Sequence, residues 1–222
     1  MFNSTNWRYL CYDNEMSNID EDLFKASHQI LIEQAIIDCK KWHAGQSYGN
    51  ELHCEHCAQV VDILRLKLKT LTPPVEVAAW HHDLFEDTNI SQQHYKANYG
   101  TYIHALVWAC TGEGSNRKER QASIKAKLKE MPEAIPIKIA DRCANMLKSL
   151  GDEKYKAMYL KEEQDFREIV DLIRNIEPAL AMYYDDIVAV MRSPHTAFDV
   201  QNPKQLKSDL SLEYDSSGFH CG

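Results

Sequence analysis

The sequence predicts an all-α protein. Apolar residues recur at three- and four-residue spacing along most of the chain, and no succession of alternating β-branched segments with hairpin turns is found. Prolines, glycines and cap residues divide the periodic stretches into helix-length pieces.

Segment 21–43 comes first, with Phe24, Leu31, Ile32, Ala35, Ile36 and Cys39 along one stripe before Ala44-Gly45 interrupts it. From about 54 to 71, Val60, Val61, Ile63, Leu64 and Leu68 define a second helix, closed by Thr72-Pro73-Pro74, where Thr72 is a candidate N-cap and proline opens the next helix. That third helix, near 74–85, carries Val75, Val77, Ala78, Ala79 and Trp80, and its apolar richness predicts burial on several sides. Polar groups at its end therefore need partners.

Ser91 caps a short helix ending near Gly100, residues 102–110 form another, and the loop Thr111-Gly112-Glu113-Gly114 leads to a basic helix over 116–130. Pro132 or Pro136 starts a helix carrying Ile137, Ile139, Ala140, Cys143 and Met146, with Gly151 as its stop. Two more helices, about 152–174 and 177–192, complete the compact part. Trp80, Trp108 and Phe166 are assigned to the core.

A chain of 222 residues has room for one sizeable core with extensions. The expected division is an N-terminal extension over 1–20, one domain over 21–192 and a polar tail over 193–222. The net charge of −8 is spread along the chain, which argues against a broad basic surface for duplex nucleic acid. No apolar run approaches the roughly 20 residues that span a bilayer, and MFNSTNWRYL lacks the basic and apolar parts of a signal peptide. A cytoplasmic location without membrane partners is expected. Seven cysteines, an odd number, argue against a disulfide framework, and Cys54-x-x-Cys57 has no second such pair to complete a structural zinc site.

The chemically informative stretch is His82-Asp83-Leu84-Phe85-Glu86-Asp87-Thr88, directly after the apolar run. On a helix His82 shares a face with Glu86, and Asp83 with Asp87, through i, i+4 spacing. His82 and Asp83 diverge by about 100° around a helix axis, so they grip one ion only from a short, distorted helix end. Further ligands must come from other helices. His56, at the start of the second helix, and Asp141, inside the run Ile137-Lys138-Ile139-Ala140, fit that need. Imidazole with carboxylate suits manganese, the favoured ion, or iron, zinc or magnesium. A cation so held, with an open position, lowers the pKa of water toward neutrality.

Plainer readings stand beside these. His53 rivals His56 but falls outside the Val60-x-x-Ile63-Leu64 register, and His81 rivals His82. Asp141 can instead pair with Arg142, Glu86-Asp87 can be a solvated helix end, and Arg117, Lys118 and Arg120 a surface basic run.

His56, the pair His82-Asp83 and the distant Asp141 together resemble the H…HD…D arrangement of the HD superfamily of metal-dependent phosphohydrolases. More narrowly, His82-Asp83-Leu84-Phe85-Glu86-Asp87-Thr88 resembles the HD-x-x-ED-T motif of RelA/SpoT-type alarmone hydrolases and their small stand-alone relatives. His43-Ala44-Gly45-Gln46, the segment from His56 through Val60-Val61 to Ile63-Leu64, and Lys138-Ile139-Ala140-Asp141-Arg142-Cys143-Ala144-Asn145 are similar to that family's H-x-G-Q, H-P-x-x-V-A-x-I-L and K-x-A-D-[KR]-x-x-N segments. The resemblance runs from about residue 25 to 170.

It implies an HD-domain helical bundle with His56, His82, Asp83 and Asp141 as metal ligands, and Glu86 and Asp87 as the residues that orient or deprotonate the attacking water. It implies that Asn145 contacts a nucleoside and that Arg117, Lys118 and Arg120 lie near phosphates, for which arginine's planar fork is suited. Lys138, Tyr155 and Tyr159 are further pocket candidates. The implied reaction removes the 3′-pyrophosphate from guanosine tetra- or pentaphosphate (ppGpp). The alternatives are a phosphohydrolase for another nucleotide (a monophosphate, a cyclic or a signalling nucleotide) and a metal-bearing sensor without turnover. Two departures from the pattern are visible: residues 47–55 lack the basic residues that alarmone hydrolases carry there, and Cys57 replaces the proline after the first histidine.

Overall fold

The computed structural model describes residues 18–49 and 51–193. The expected polar tail and nearly all of the N-terminal extension lie outside the described residues, as does the side chain of Phe24.

The order is α1 (Asn18–Trp42), a two-residue antiparallel ladder of β1 (Ser47–Tyr48) with β2 (Glu51–Leu52), α2 (His53–Lys67), α3 (Pro73–Trp80), α4 (Leu84–Asp87), α5 (Gln92–Cys110), α6 (Arg117–Glu130), α7 (Ile135–Lys148), α8 (Glu153–Ile173) and α9 (Pro178–Arg192). Short 3-10 turns at Pro132–Ala134 and Ser149–Gly151 flank α7. The sequence pattern anticipated neither ladder strand, since two residues are too few to show an alternation.

Local chemistry sets the boundaries. The Ser91 hydroxyl accepts from the His94 N–H at 3.1 Å and starts α5. Asn116 Oδ1 accepts from Glu119 N at 3.0 Å, which satisfies one free N–H of the first turn of α6, while Glu119 Oε2 accepts from Ser115 N at 2.8 Å and holds the residue before the cap. Asp152 Oδ1 accepts from Lys154 N and Tyr155 N, opening α8. Gly100 has φ 81° and ψ 170°, a conformation open to glycine at little cost, and it kinks α5 where the sequence predicts one helix ending and another beginning.

Helix α7 lies at the centre, packed against α2, α3, α8 and α9, while on the other side of the core α1, α2 and α5 all pack against α3. Ile135, Ile137, Ile139, Ala140, Cys143 and Met146 are all buried, and they press α7 onto α2. This fixes where Asp141 points. An ion network ties the last two helices: Glu163 receives Arg167 at 2.6 Å and Arg192 at 2.8 Å, and Asp185 receives Arg167 and Arg174.

Two expectations need correction. The third helix stops at Trp80, not near 85; residues 81–83 form a turn and α4 restarts at Leu84. Trp80 is buried as expected, but Trp108 and Phe166 are only partly so. Each of those two rings carries a cation over its face, Lys127 Nζ at 3.5 Å and the Arg142 guanidinium at 4.9 Å, which places them at the boundary between core and solvent. Cys39, Cys54, Cys57, Cys110 and Cys143 are free thiols and buried; Cys11 and Cys221 lie outside the described residues. No described helix is long and apolar enough to cross a membrane.

Candidate active site

The turn at 81–83 makes the site possible. His81 leaves the helix in one direction and is fully buried, with Nε2–H donating to Ala35 O at 2.9 Å and Nδ1 accepting from the Tyr95 hydroxyl at 2.8 Å. It is a structural histidine. His82 turns the other way: its Nδ1–H donates to Ala79 O at 2.8 Å, which aims Nε2 into the site.

Four side chains from three parts of the fold converge there. His82 Nε2 is 3.2 Å from Asp83 Oδ2 and 3.6 Å from Asp141 Oδ1; His56 Nε2 is 3.2 Å from Asp141 Oδ1 and 3.8 Å from Asp83 Oδ2. One donor atom each of His56, His82 and Asp141 lies within 4.8 Å of the others, and all three residues are buried. Imidazole nitrogens facing carboxylate oxygens at such separations fit a divalent cation. The outer oxygen of Asp141 is already neutralised, by Lys138 Nζ at 2.7 Å, and Asn145 Nδ2 donates to the inner one at 2.6 Å.

The electrostatics follow from that packing. Burial alone would lower the His82 imidazole and raise both carboxyls, yet mutual attraction prevails: His82 sits well above its ordinary pKa, and Asp83 and Asp141 well below theirs. Burial likewise opposes the Lys138 ammonium, but Asp141 and Asp83 hold it charged. Asp87 goes the other way. Burial first, then the charge of Asp83, lifts its carboxyl above the usual range, which favours taking up a proton.

Beside this cluster opens a cleft of about 690 Å³, a size suited to a nucleotide. Asp83, Glu86, Asp87 and Asp141 line one part of it, and Arg117, Lys118 and Arg120 on α6 another, with Lys138, Asn145 and Tyr159 also on its walls. Glu86 is held by the Gly112 N–H at 2.5 Å. That approach requires glycine: a Cβ on residue 112 would stand 2.8 Å from Arg120 Cβ and 3.3 Å from Glu86 Oε1.

The structure brings together all the sequence-predicted site residues except Tyr155. Tyr155 is 52% exposed and does not line the cleft, because the cleft meets α8 only from Tyr159 onward, one turn further along. Arg117 is on the wall but engaged, donating to both oxygens of Glu162 at 2.6 and 3.0 Å. Phe166, assigned to the core, lines the cleft as well.

Sequence reasoning passed over two groups. His53, set aside on register, puts Nε2 3.4 Å from Asp83 Oδ2 and 3.6 Å from Asp87 Oδ2. Its i, i+3 relation to His56 was the available signal, since residues so spaced share a helix face. The second group is Glu162 with Arg142, paired at 2.9 Å behind Arg117; no motif marks them.

No known family model matches the chain, and no curated protein matches it in sequence. The fold does have counterparts among solved structures. One is a metazoan ortholog of SpoT, described as hydrolyzing ppGpp and playing a role in starvation responses, with a TM-score of 0.62 at 21% identity over 72% of this chain and 94% of that one. The all-α helical architecture expected from the sequence is the one found, and it is shared with that structure.

Proposed function

We propose that the chain is a metal-dependent nucleotide phosphohydrolase whose substrate is guanosine tetra- or pentaphosphate, from which it removes the 3′-pyrophosphate. The observation that carries this reading is the meeting of His56, His82, Asp83 and Asp141 at the edge of a nucleotide-sized cleft that also holds Glu86 and Asp87. The likeness in fold to the SpoT ortholog supports it.

In this reading His56, His82, Asp83 and Asp141 hold a divalent cation, manganese by preference, with iron, zinc and magnesium as alternatives. Such a cation supplies Lewis acidity to a phosphoryl oxygen and lowers the pKa of a nearby water. The remaining work belongs to the chain. Asp87, whose carboxyl already favours protonation, accepts the proton of the attacking water, and Glu86, fixed by the Gly112 N–H, orients it. Lys118 and Arg120, which carry no ion pair among the described residues, face the phosphate charge along with Arg117. Tyr159 and Asn145 border the space for the nucleoside. A pure sensor has no use for a water-directing pair such as Glu86 and Asp87, so turnover is the favoured reading.

The neutralisation of Arg117 by Glu162 and the absence of lysine and arginine from residues 47–55 favour one second reading, a less highly charged nucleotide as substrate. A manganese-supplemented panel of nucleotides, with products identified by mass, separates the two. Pyrophosphate and a guanosine diphosphate released from ppGpp support the first; inorganic phosphate from nucleoside monophosphates, with ppGpp untouched, replaces it by the second.

A further inference from the structure

Behind the candidate active site, where α1 ends and α2 begins, two sulfurs and an imidazole meet in the protein interior. Cys39 lies on the last turn of α1, His43 just beyond that helix, and Cys57 in the second turn of α2. Cys39 and Cys57 have no exposed surface and His43 only 3%. The two sulfurs and one ring nitrogen of His43 all lie within 4.8 Å of one another, and the two thiols are in hydrogen-bond contact. Spacing i, i+4 keeps Cys39 and His43 on one face, and the His43 N–H still donates to Cys39 O at 3.0 Å.

The imidazole is set up as a donor of electrons. Gln46 Nε2 donates to Asp87 O at 2.6 Å, so the other end of that amide, Oε1, is what faces His43 Nδ1 at 2.6 Å. Nδ1 must therefore carry the proton, which leaves Nε2 with a bare lone pair. That Nε2 is buried and has no hydrogen-bond partner. A buried, unsatisfied lone pair on a ring that meets two thiols is costly as plain core packing and well used as a metal ligand.

We propose that Cys39, His43 and Cys57 form a second metal site, selective for a thiophilic cation of the Zn²⁺ or Cu⁺ kind. Two thiolates and an imidazole are a soft set, unlike the nitrogen and carboxylate donors of the first site, so the two sites sort cations by chemistry. With Zn²⁺ the charges of two thiolates cancel the cation, and a neutral group suits a position without solvent. Loaded, the site joins the end of α1 to α2. It also braces the active site, because the His43 ring stacks on His53 at 4.1 Å between centroids and Gln46 holds the Asp87 carbonyl.

The test is a cadmium titration of the full chain, reduced and stripped of metal, read by the thiolate-to-metal charge-transfer absorption that nitrogen and oxygen donors do not produce. The expected result is a band that saturates at a single equivalent per chain, persists in Asp83→Ala, which removes a ligand of the first site, and is lost in Cys57→Ala. His43→Ala should weaken cadmium binding by about tenfold or more. Competition with Zn²⁺ and with Cu⁺ identifies the preferred ion by which displaces cadmium at the lower concentration. Three outcomes overturn the proposal: no band in the unsubstituted chain, a band that survives Cys57→Ala, or an intact mass lower by two hydrogens from a Cys39–Cys57 disulfide in protein purified without reductant. The first and third need no variant to fold.

Discussion

His82 and Asp83 are chain neighbours, yet His82 Nε2 stands 3.2 Å from Asp83 Oδ2, so both side chains look at one point. In a continuous helix they would diverge by about 100°. They converge because α3 ends at Trp80 and the next three residues turn before α4 begins. The consequence is that neither residue substitutes for the other.

Asp83→Ala is accordingly expected to lose bound divalent metal and hydrolysis together, with affinity for manganese lower by roughly 100-fold and helix content nearly unchanged. Metal analysis alongside circular dichroism checks this. Full turnover in that variant would reject the assignment of the site.

Glu86→Gln should keep the metal and slow the chemical step by roughly 10²–10⁴-fold. The amide oxygen can still accept from the Gly112 N–H, so the loop at 111–114 has no reason to move. Metal loss in this variant, measured on the same preparation as the rate, would mean that Glu86 is itself a ligand.

Lys138 is the counter-charge of a buried carboxylate, at 2.7 Å from Asp141 Oδ2. Removing one member of such a pair leaves the other uncompensated, a loss on the order of 3–5 kcal/mol. Lys138→Met should therefore lower the melting temperature strongly without added metal and less strongly with saturating manganese, because a cation takes over part of the neutralisation. An equal loss in both conditions would show that Asp141 does not share its charge with a metal.

The acid limb of stability should carry the signature of Glu162. Burial works against its charge, but Arg117 and Arg142 prevail and hold its carboxyl down at about 2, against an ordinary value of 4.5. A depressed folded-state pKa means the stabilisation is complete above about pH 4.5 and drains away as pH falls toward 2. In Glu162→Gln the melting temperature should depend less steeply on pH across that window. An unchanged slope would remove Glu162 from the account.

Much of this was legible in the chain itself. The cap at Ser91 and the break at Gly100 are local events decided within a few residues, and the chain marks them directly. The cluster of His56, His82, Asp83 and Asp141 was legible too, because polar residues inside apolar runs stand out: Asp141 among isoleucines, and His82-Asp83 at the end of the most apolar helix.

What tertiary structure alone decided is which polar groups face one another. His53 reaches Asp83 and Asp87 because the short ladder and α2 carry its ring under that turn, and Arg117 spends its fork on Glu162 because α8 passes alongside α6. Tyr155 misses the cleft by one helical turn. Cys39, His43 and Cys57 become a cluster only when the end of α1 packs against the start of α2. Pairings between distant segments depend on how helices cross, and crossing is set by the summed packing of the whole core rather than by any local run of residues.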